Sequence, residues 1–102
     1  MIVLYVLDTC PYCNAALKML TENNIKYKSI IVENNEEAKN YYKKQNHMNT
    51  FPQIFMQIEK DNYMKLGGYD SLNESISLCK SIRNSNVSLD SIYYMYQKLY
   101  KK

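Results

Sequence analysis

A six-residue apolar run, Ile2-Val3-Leu4-Tyr5-Val6-Leu7, stops two residues short of Cys10-Pro11-Tyr12-Cys13, and a helical pattern begins at once. This junction constrains the fold more than any other stretch of the chain. A short apolar run bounded by a turn reads as a buried strand. Pro11 suits the first helical position, because its fixed φ fits there and its missing N–H would be unpaired anyway. Cys13, Ala16, Leu17 and Leu20 then recur at i, i+3, i+4 and i+7, one face of a helix over roughly residues 11–24. Cys10 is thereby placed at the positive end of a helix, where unpaired backbone N–H groups favour an anion.

The rest of the chain continues the alternation. Tyr27 to Val32 reads as a second strand and Glu36 to about Gln45 as a polar helix, with Glu33-Asn34-Asn35 as the turn between them. After Thr50-Phe51-Pro52, the segments Gln53–Ile58 and Tyr63–Leu66 read as strands joined by a hairpin turn at Glu59-Lys60-Asp61-Asn62. Gly67-Gly68 ends the pair, and Asp70 or Ser71 caps a third helix carrying Leu72, Ile76, Cys79 and Ile82. Past Arg83-Asn84-Ser85-Asn86, Ser88 caps an amphipathic segment with Leu89, Ile92, Tyr93, Tyr96 and Leu99, read as a further helix packing on the domain. Two strands joined by a helix are expected to be parallel with a right-handed crossover, and the closing hairpin adds an antiparallel pair. The expectation is an α/β domain with a mixed sheet and helices on both faces, formed by residues 1–102 as a single unit: a core over 2–84 and an added C-terminal helix over 88–100.

Composition narrows the chemistry. A chain of 102 residues with 46% hydrophobic content can build one core without disulfide or metal staples. It contains no run of the ~18 apolar residues that a membrane span needs. Met1 leads straight into a strand rather than a secretory leader, so the expected compartment is the reducing cytoplasm. A net charge of +3 with dispersed lysines gives little support to nucleic-acid binding.

In a reducing compartment a C-x-x-C pair favours redox chemistry or metal binding over a structural bridge. Residues i and i+3 of a helix are neighbours, so Cys10 and Cys13 can close a disulfide within one turn. A free cysteine is only ~3% thiolate at pH 7, so a helix end that stabilises the anion raises the population of the attacking species by up to ~30-fold. Cys10 is the expected nucleophile, and Cys13, one turn in on the apolar face, the shielded partner. Zinc binding would need Cys79 and His47 as further ligands, at separations that match no compact zinc pattern. Cys79 reads as a buried inert thiol and His47 as an exposed side chain.

Three motifs resemble the glutaredoxin family: Thr9-Cys10-Pro11-Tyr12-Cys13, Thr50-Phe51-Pro52-Gln53-Ile54-Phe55 and Leu66-Gly67-Gly68-Tyr69-Asp70-Ser71-Leu72. Their order and spacing agree with the family over roughly residues 2–82, and the segment 87–102 lies mostly outside the resemblance. The resemblance implies a thioredoxin-like fold with strand order 2-1-3-4. It also implies a glutathione-dependent thiol–disulfide oxidoreductase acting on protein disulfides and glutathione mixed disulfides, with Cys10 and Cys13 catalytic. By the same resemblance Pro52 follows a cis peptide facing the C-x-x-C, and the backbone of Phe51 pairs with the cysteine of glutathione. The N–H groups of Asp70 and Ser71, with the Ser71 hydroxyl, hold the γ-glutamyl carboxylate at a helix tip. Tyr12, Thr50, Gly68 and Tyr69 line the same site, and Lys39 meets the glycyl carboxylate. Glutathione is then the co-substrate and no metal is expected. The implied partners are disulfide-containing or glutathionylated clients, ribonucleotide reductase among them, with the chain a monomer.

One position departs from the family. Many relatives carry a lysine three residues before the first cysteine, where this chain has Leu7, followed by Asp8. The missing charge predicts weaker glutathione binding or a less stabilised Cys10 thiolate. Two other functions share the motif: a redoxin reduced by a flavoenzyme of the thioredoxin-reductase type, and a protein that binds an iron–sulfur cluster with glutathione. Pro11 argues against the second, since cluster-binding relatives usually have a small residue there.

Overall fold

A computed structural model of the chain describes residues 1–83 and 87–100, without the side chains of 82–83 and 98–100. The linker at 84–86 and the side chains of Ile82 and Leu99 therefore lie outside the described residues. Eight elements follow one another: β1 (Ile2–Leu7), α1 (Pro11–Glu22), β2 (Tyr27–Val32), α2 (Glu36–Asn46), β3 (Gln53–Glu59), β4 (Asn62–Gly67), α3 (Tyr69–Arg83) and α4 (Leu89–Tyr100). The strands form one sheet in the order β2-β1-β3-β4. β1 runs parallel to β2, with Ile2 opposite Tyr27 and Leu7 opposite Val32, and antiparallel to β3, with Leu4 opposite Ile54. The β3–β4 pair is antiparallel. This is the expected thioredoxin-like mixed sheet.

Period-two alternation divides β1 between the two faces of the sheet. Ile2, Leu4 and Val6 join Ile54, Met56 and Leu66 in a core closed by Cys13, Ala16 and Leu20 of α1 and Leu72, Ile76 and Cys79 of α3. α4 adds Ile92, as its amphipathic spacing predicted, and Met95 to the same core, whereas Tyr93, read on that same face, is exposed. Its start is a reciprocal cap: the Ser91 N–H donates to Ser88 Oγ at 3.1 Å, and the Ser88 N–H donates to Ser91 Oγ at 2.9 Å.

The opposite face is more sparsely covered. α2 buries none of its residues, and its link to the sheet is aromatic and polar. The Tyr5 ring lies 5.1 Å from that of Tyr42, and Asn46 Nδ2 donates to Gln53 Oε1 at 2.7 Å. A helix with so little burial depends on its ends. Asn35 Oδ1 accepts the Ala38 N–H at 2.8 Å, Glu36 and Glu37 occupy the first turn, and Lys43 and Lys44 the last. Asn35→Ala is expected to cost about 1 kcal/mol, with faster amide hydrogen exchange at Ala38 than in the unmodified protein as the check.

The structure corrects three boundaries. α1 ends at Glu22, where Asn23 caps it with its backbone N–H on the Met19 carbonyl, rather than running to Asn24. Asn24 takes a left-handed conformation at φ 57°, which a helix cannot continue through. The hairpin turn shrinks to Lys60-Asp61, because Glu59 and Asn62 pair with each other. α3 starts at Tyr69, so neither Asp70 nor Ser71 is its cap; both lie within its first turn.

Candidate active site

The site begins with a backbone device. Thr9, between β1 and α1, adopts φ 60°. A β-branched residue in that region costs roughly 1–3 kcal/mol, so surrounding structure must hold it there. The turn delivers Cys10 in an extended conformation, φ −100° and ψ 114°, as the N-cap of α1 with Pro11 at the first helical position. Cys10 Sγ accepts the Cys13 backbone N–H at 3.3 Å, as a capping oxygen would.

Cys13 is in the opposite situation. It is fully buried on the core face of α1, and the Leu7 N–H reaches its sulfur at 3.5 Å. Burial, reinforced by the hydrogen bond with Cys10, pushes its thiol up to about 12, and the Leu7 contact offsets only part of this. The two cysteines, both free, therefore differ sharply: a half-buried, hydrogen-bonded Cys10 and a shielded Cys13 held as the thiol.

Beside the start of α1 lies a cleft of about 410 Å³ lined by Tyr12, Thr50, Phe51, Pro52, Gly68, Tyr69, Asp70 and Ser71. These residues come from three separate stretches of the chain. The Phe51–Pro52 peptide is cis, as the resemblance implied. Tyr12, largely exposed, packs its ring 5.8 Å from that of Tyr69, joining the first motif to the third. Gly67 turns the chain into α3 at φ 116°, and a Cβ there would stand 2.8 Å from Ser71 Oγ.

Cys10 and Cys13 belong to the adjoining start of α1 rather than to the cleft's lining, which holds every other site residue read from the sequence except Lys39. That lysine is paired with Glu36 at 3.1 Å along α2 and is not among the residues lining the cleft. Cys79 is buried in α3 and His47 is exposed at the end of α2. Among the described residues no cluster of His, Cys, Asp or Glu could hold a metal ion.

Two features escaped the sequence reading. The conformation of Thr9 had no signal beyond its place between strand and helix. Gln53 follows the cis-proline, is fully buried, and its Nε2 has no hydrogen-bond partner among the described residues. Its amide oxygen ties β3 to the last residue of α2, a contact that an apolar-run reading cannot reveal.

Comparison with known proteins bears on the family and the fold. The family model for glutaredoxin matches residues 2–59. A curated relative, glutaredoxin 1 of Rickettsia conorii, is 42% identical over 73 residues, 70% of this chain and 67% of its own length. The chain thus spans about two thirds of that relative. Among solved structures, a glutaredoxin from Brucella melitensis superposes with a TM-score of 0.60 at 26% identity, covering 78% of this chain and 82% of its own. A buckwheat glutaredoxin–glutathione complex shares the fold at a TM-score of 0.60 and 18% identity, covering 95% of this chain and 76% of the other.

Proposed function

The chain belongs to the glutaredoxin family, a family of thiol–disulfide oxidoreductases, and from that premise we propose that it reduces protein disulfides and glutathione mixed disulfides with glutathione as reductant. One observation carries the reading: a cysteine capping a helix beside a cleft whose walls are Phe51-Pro52 and the first turn of α3. In this reading Cys10 attacks a disulfide sulfur. A new S–S bond forms to Cys10, and the displaced sulfur leaves as a thiolate.

The resulting mixed disulfide is then opened by a second thiolate. Cys13 can supply it and close the Cys10–Cys13 disulfide, or a glutathione thiolate can, leaving as glutathione disulfide. Burial disfavours the Cys13 thiolate, so glutathione competes with it as resolver wherever it can reach Cys10. Glutathione would lie extended in the cleft, its cysteine paired with the Phe51 backbone next to Thr50 and Pro52. Its γ-glutamyl carboxylate would meet the Asp70 and Ser71 N–H groups at the start of α3, with Gly68, Tyr69 and Tyr12 alongside. Lys39 could serve the glycyl carboxylate only after leaving Glu36, a separation that costs little for a pair with so exposed a carboxylate. The proposal includes residues 1–102 acting as one monomeric domain in the cytoplasm, with ribonucleotide reductase as one class of client.

The buckwheat complex with glutathione supports the choice of reductant by family analogy. Leu7 favours a second reading, reduction by a flavoenzyme, since it removes a charge that would hold glutathione. A coupled assay separates the two. With a glutathione mixed-disulfide substrate, NADPH oxidation is expected to depend on glutathione and glutathione reductase. Turnover supported by thioredoxin reductase alone would overturn the glutathione reading.

A further inference from the structure

The sheet face away from Cys13 carries α2 over only part of its area. Residues paired across neighbouring strands share a face, so three rows can be followed over it. Ile30, Tyr5 and Gln53 form the first row, which α2 meets through the Tyr42 ring on Tyr5 and the Asn46 amide on Gln53. Lys28, Val3, Phe55 and Lys65 form the second, and Gln57 and Tyr63 lie in the third. Along the second and third rows, with Tyr5 and Asn46 as the near wall, runs a cavity of about 350 Å³. It shares no residue with the cleft beside Cys10.

The cavity is aromatic and positive. The rings of Tyr5 and Phe55 meet edge to face at 5.9 Å, and Tyr63, half exposed, lines the side toward solvent. No carboxylate lines it, and its one charged side chain is Lys28, which is exposed and joins neither of the ion pairs found among the described residues. Asn46 is the last residue of α2, whose C-terminal end carries about half a negative charge. The Lys65 ammonium donates to the His47 carbonyl at 3.1 Å and offsets that end. Burial raises the Tyr5 hydroxyl above its usual range, so it stays protonated and can donate to an acceptor.

We propose that this cavity binds a small planar aromatic anion, its rings on Tyr5, Phe55 and Tyr63 and its carboxylate on Lys28. A volume of about 350 Å³ lies at the small end of ligand pockets and suits one or two fused rings. Aromatic walls favour a flat ring system through edge and face contacts. The unpaired lysine on a wall without carboxylates supplies the preference for a negative group. The site is separate from the thiol chemistry and does not rest on it.

The test is a nuclear magnetic resonance titration of the full chain, reduced, with three probes that share one ring system: 2-naphthoate, 2-naphthamide and 2-naphthylmethylammonium. At ~10 mM salt, 2-naphthoate is expected to shift the amides of Val3, Lys28, Phe55 and Tyr63, but not those of Tyr12 and Asp70, with a Kd on the order of 1 mM. The amide probe is expected to bind about fivefold more weakly and the ammonium probe more weakly still. Lys28→Gln is expected to bring the naphthoate and naphthamide affinities together, and Tyr63→Ala to weaken all three probes by about threefold. Both side chains are exposed, so neither substitution removes core packing. No shifts at the cavity amides with about 5 mM naphthoate, or shifts confined to the cleft, would overturn the site. Equal affinities for naphthoate and naphthamide, or a preference that survives in Lys28→Gln, would overturn the assignment to an anion on Lys28. Shifts of the same amides on dilution alone, with a dimer mass in sedimentation, would assign this face to a second copy of the chain and overturn the small-ligand reading.

Discussion

Cys10→Ser is expected to abolish turnover of a glutathione mixed disulfide, whereas Cys13→Ser is expected to retain most of it and to lose reduction of protein disulfides. The asymmetry follows from the two sulfur environments. Cys10 receives the Cys13 N–H at the start of α1, while Cys13 lies fully buried with its thiol raised from 9.0 to about 12. Such a rise leaves Cys13 with about a thousandfold less thiolate than an ordinary cysteine at the same pH. Iodoacetamide at neutral pH is therefore expected to modify Cys10 alone in the reduced protein, with Cys13 and the buried Cys79 protected. Mass spectrometry of the labelled peptides checks this, and labelling of Cys13 at a rate comparable to Cys10 would contradict it. Loss of mixed-disulfide activity in both serine variants would contradict the monothiol route.

The burial of Cys13 also makes stability depend on pH. Folding raises the Cys13 thiol from 9.0 to about 12, so above pH 9 the unfolded chain has released a proton that the folded chain still holds. The contribution of this group to stability is complete below about pH 9 and declines as pH rises toward 12, by up to about 1.4 kcal/mol for each step of one in pH. Urea midpoints of the reduced protein are expected to fall more steeply between pH 9 and 11 than those of Cys13→Ser. The difference between the two curves isolates Cys13 from Tyr5, whose hydroxyl is also raised, chiefly by burial.

Gly67→Ala is expected to be the most damaging single-methyl change in the third motif, and Gly68→Ala a mild one. Gly67 sits at φ 116°, a region that alanine enters only with strain, and the added carbon would stand 2.8 Å from Ser71 Oγ and 3.2 Å from Ser71 Cβ. Both the turn and the first turn of α3 must give way. A loss of about 2–3 kcal/mol, or roughly 8–20 °C in Tm for a domain of this size, is the expected result. At Gly68 the nearest atom to an added Cβ is the Pro52 carbonyl oxygen at 3.8 Å, an ordinary contact. Gly68→Ala is therefore expected to shift Tm by only a few degrees, while narrowing the cleft it lines. Thermal unfolding of the two variants side by side tests the distinction, and equal losses would refute it.

Those two glycines show where reading the chain stops. In sequence they form one turn signal, and both look equally suited to it. Only the backbone distinguishes them, because positive φ at Gly67 is imposed by the exit from β4 into α3 over Ser71. Lys39 makes the same point differently. The family resemblance assigns it to the cleft, but i,i+3 spacing on α2 gives it a nearer partner in Glu36. The buried Gln53 amide and the left-handed Thr9 had no sequence signal at all, since each is set by elements distant in the chain or by the geometry of a junction.

By itself the sequence determined the element order, the core face of α1, the capping of α4 and the cysteine proposed to lead the chemistry. All of these follow from local periodicity, from residue-specific backbone preference and from the unpaired N–H groups of a helix start. Tertiary structure decided what surrounds that cysteine. It buried Cys13 among strands and helices, closed a cleft from three separated segments, left Asp70 as the cleft's one charge and kept Lys39 out of it. Desolvation and long-range charge depend on distances in space, and no pattern along the chain encodes them.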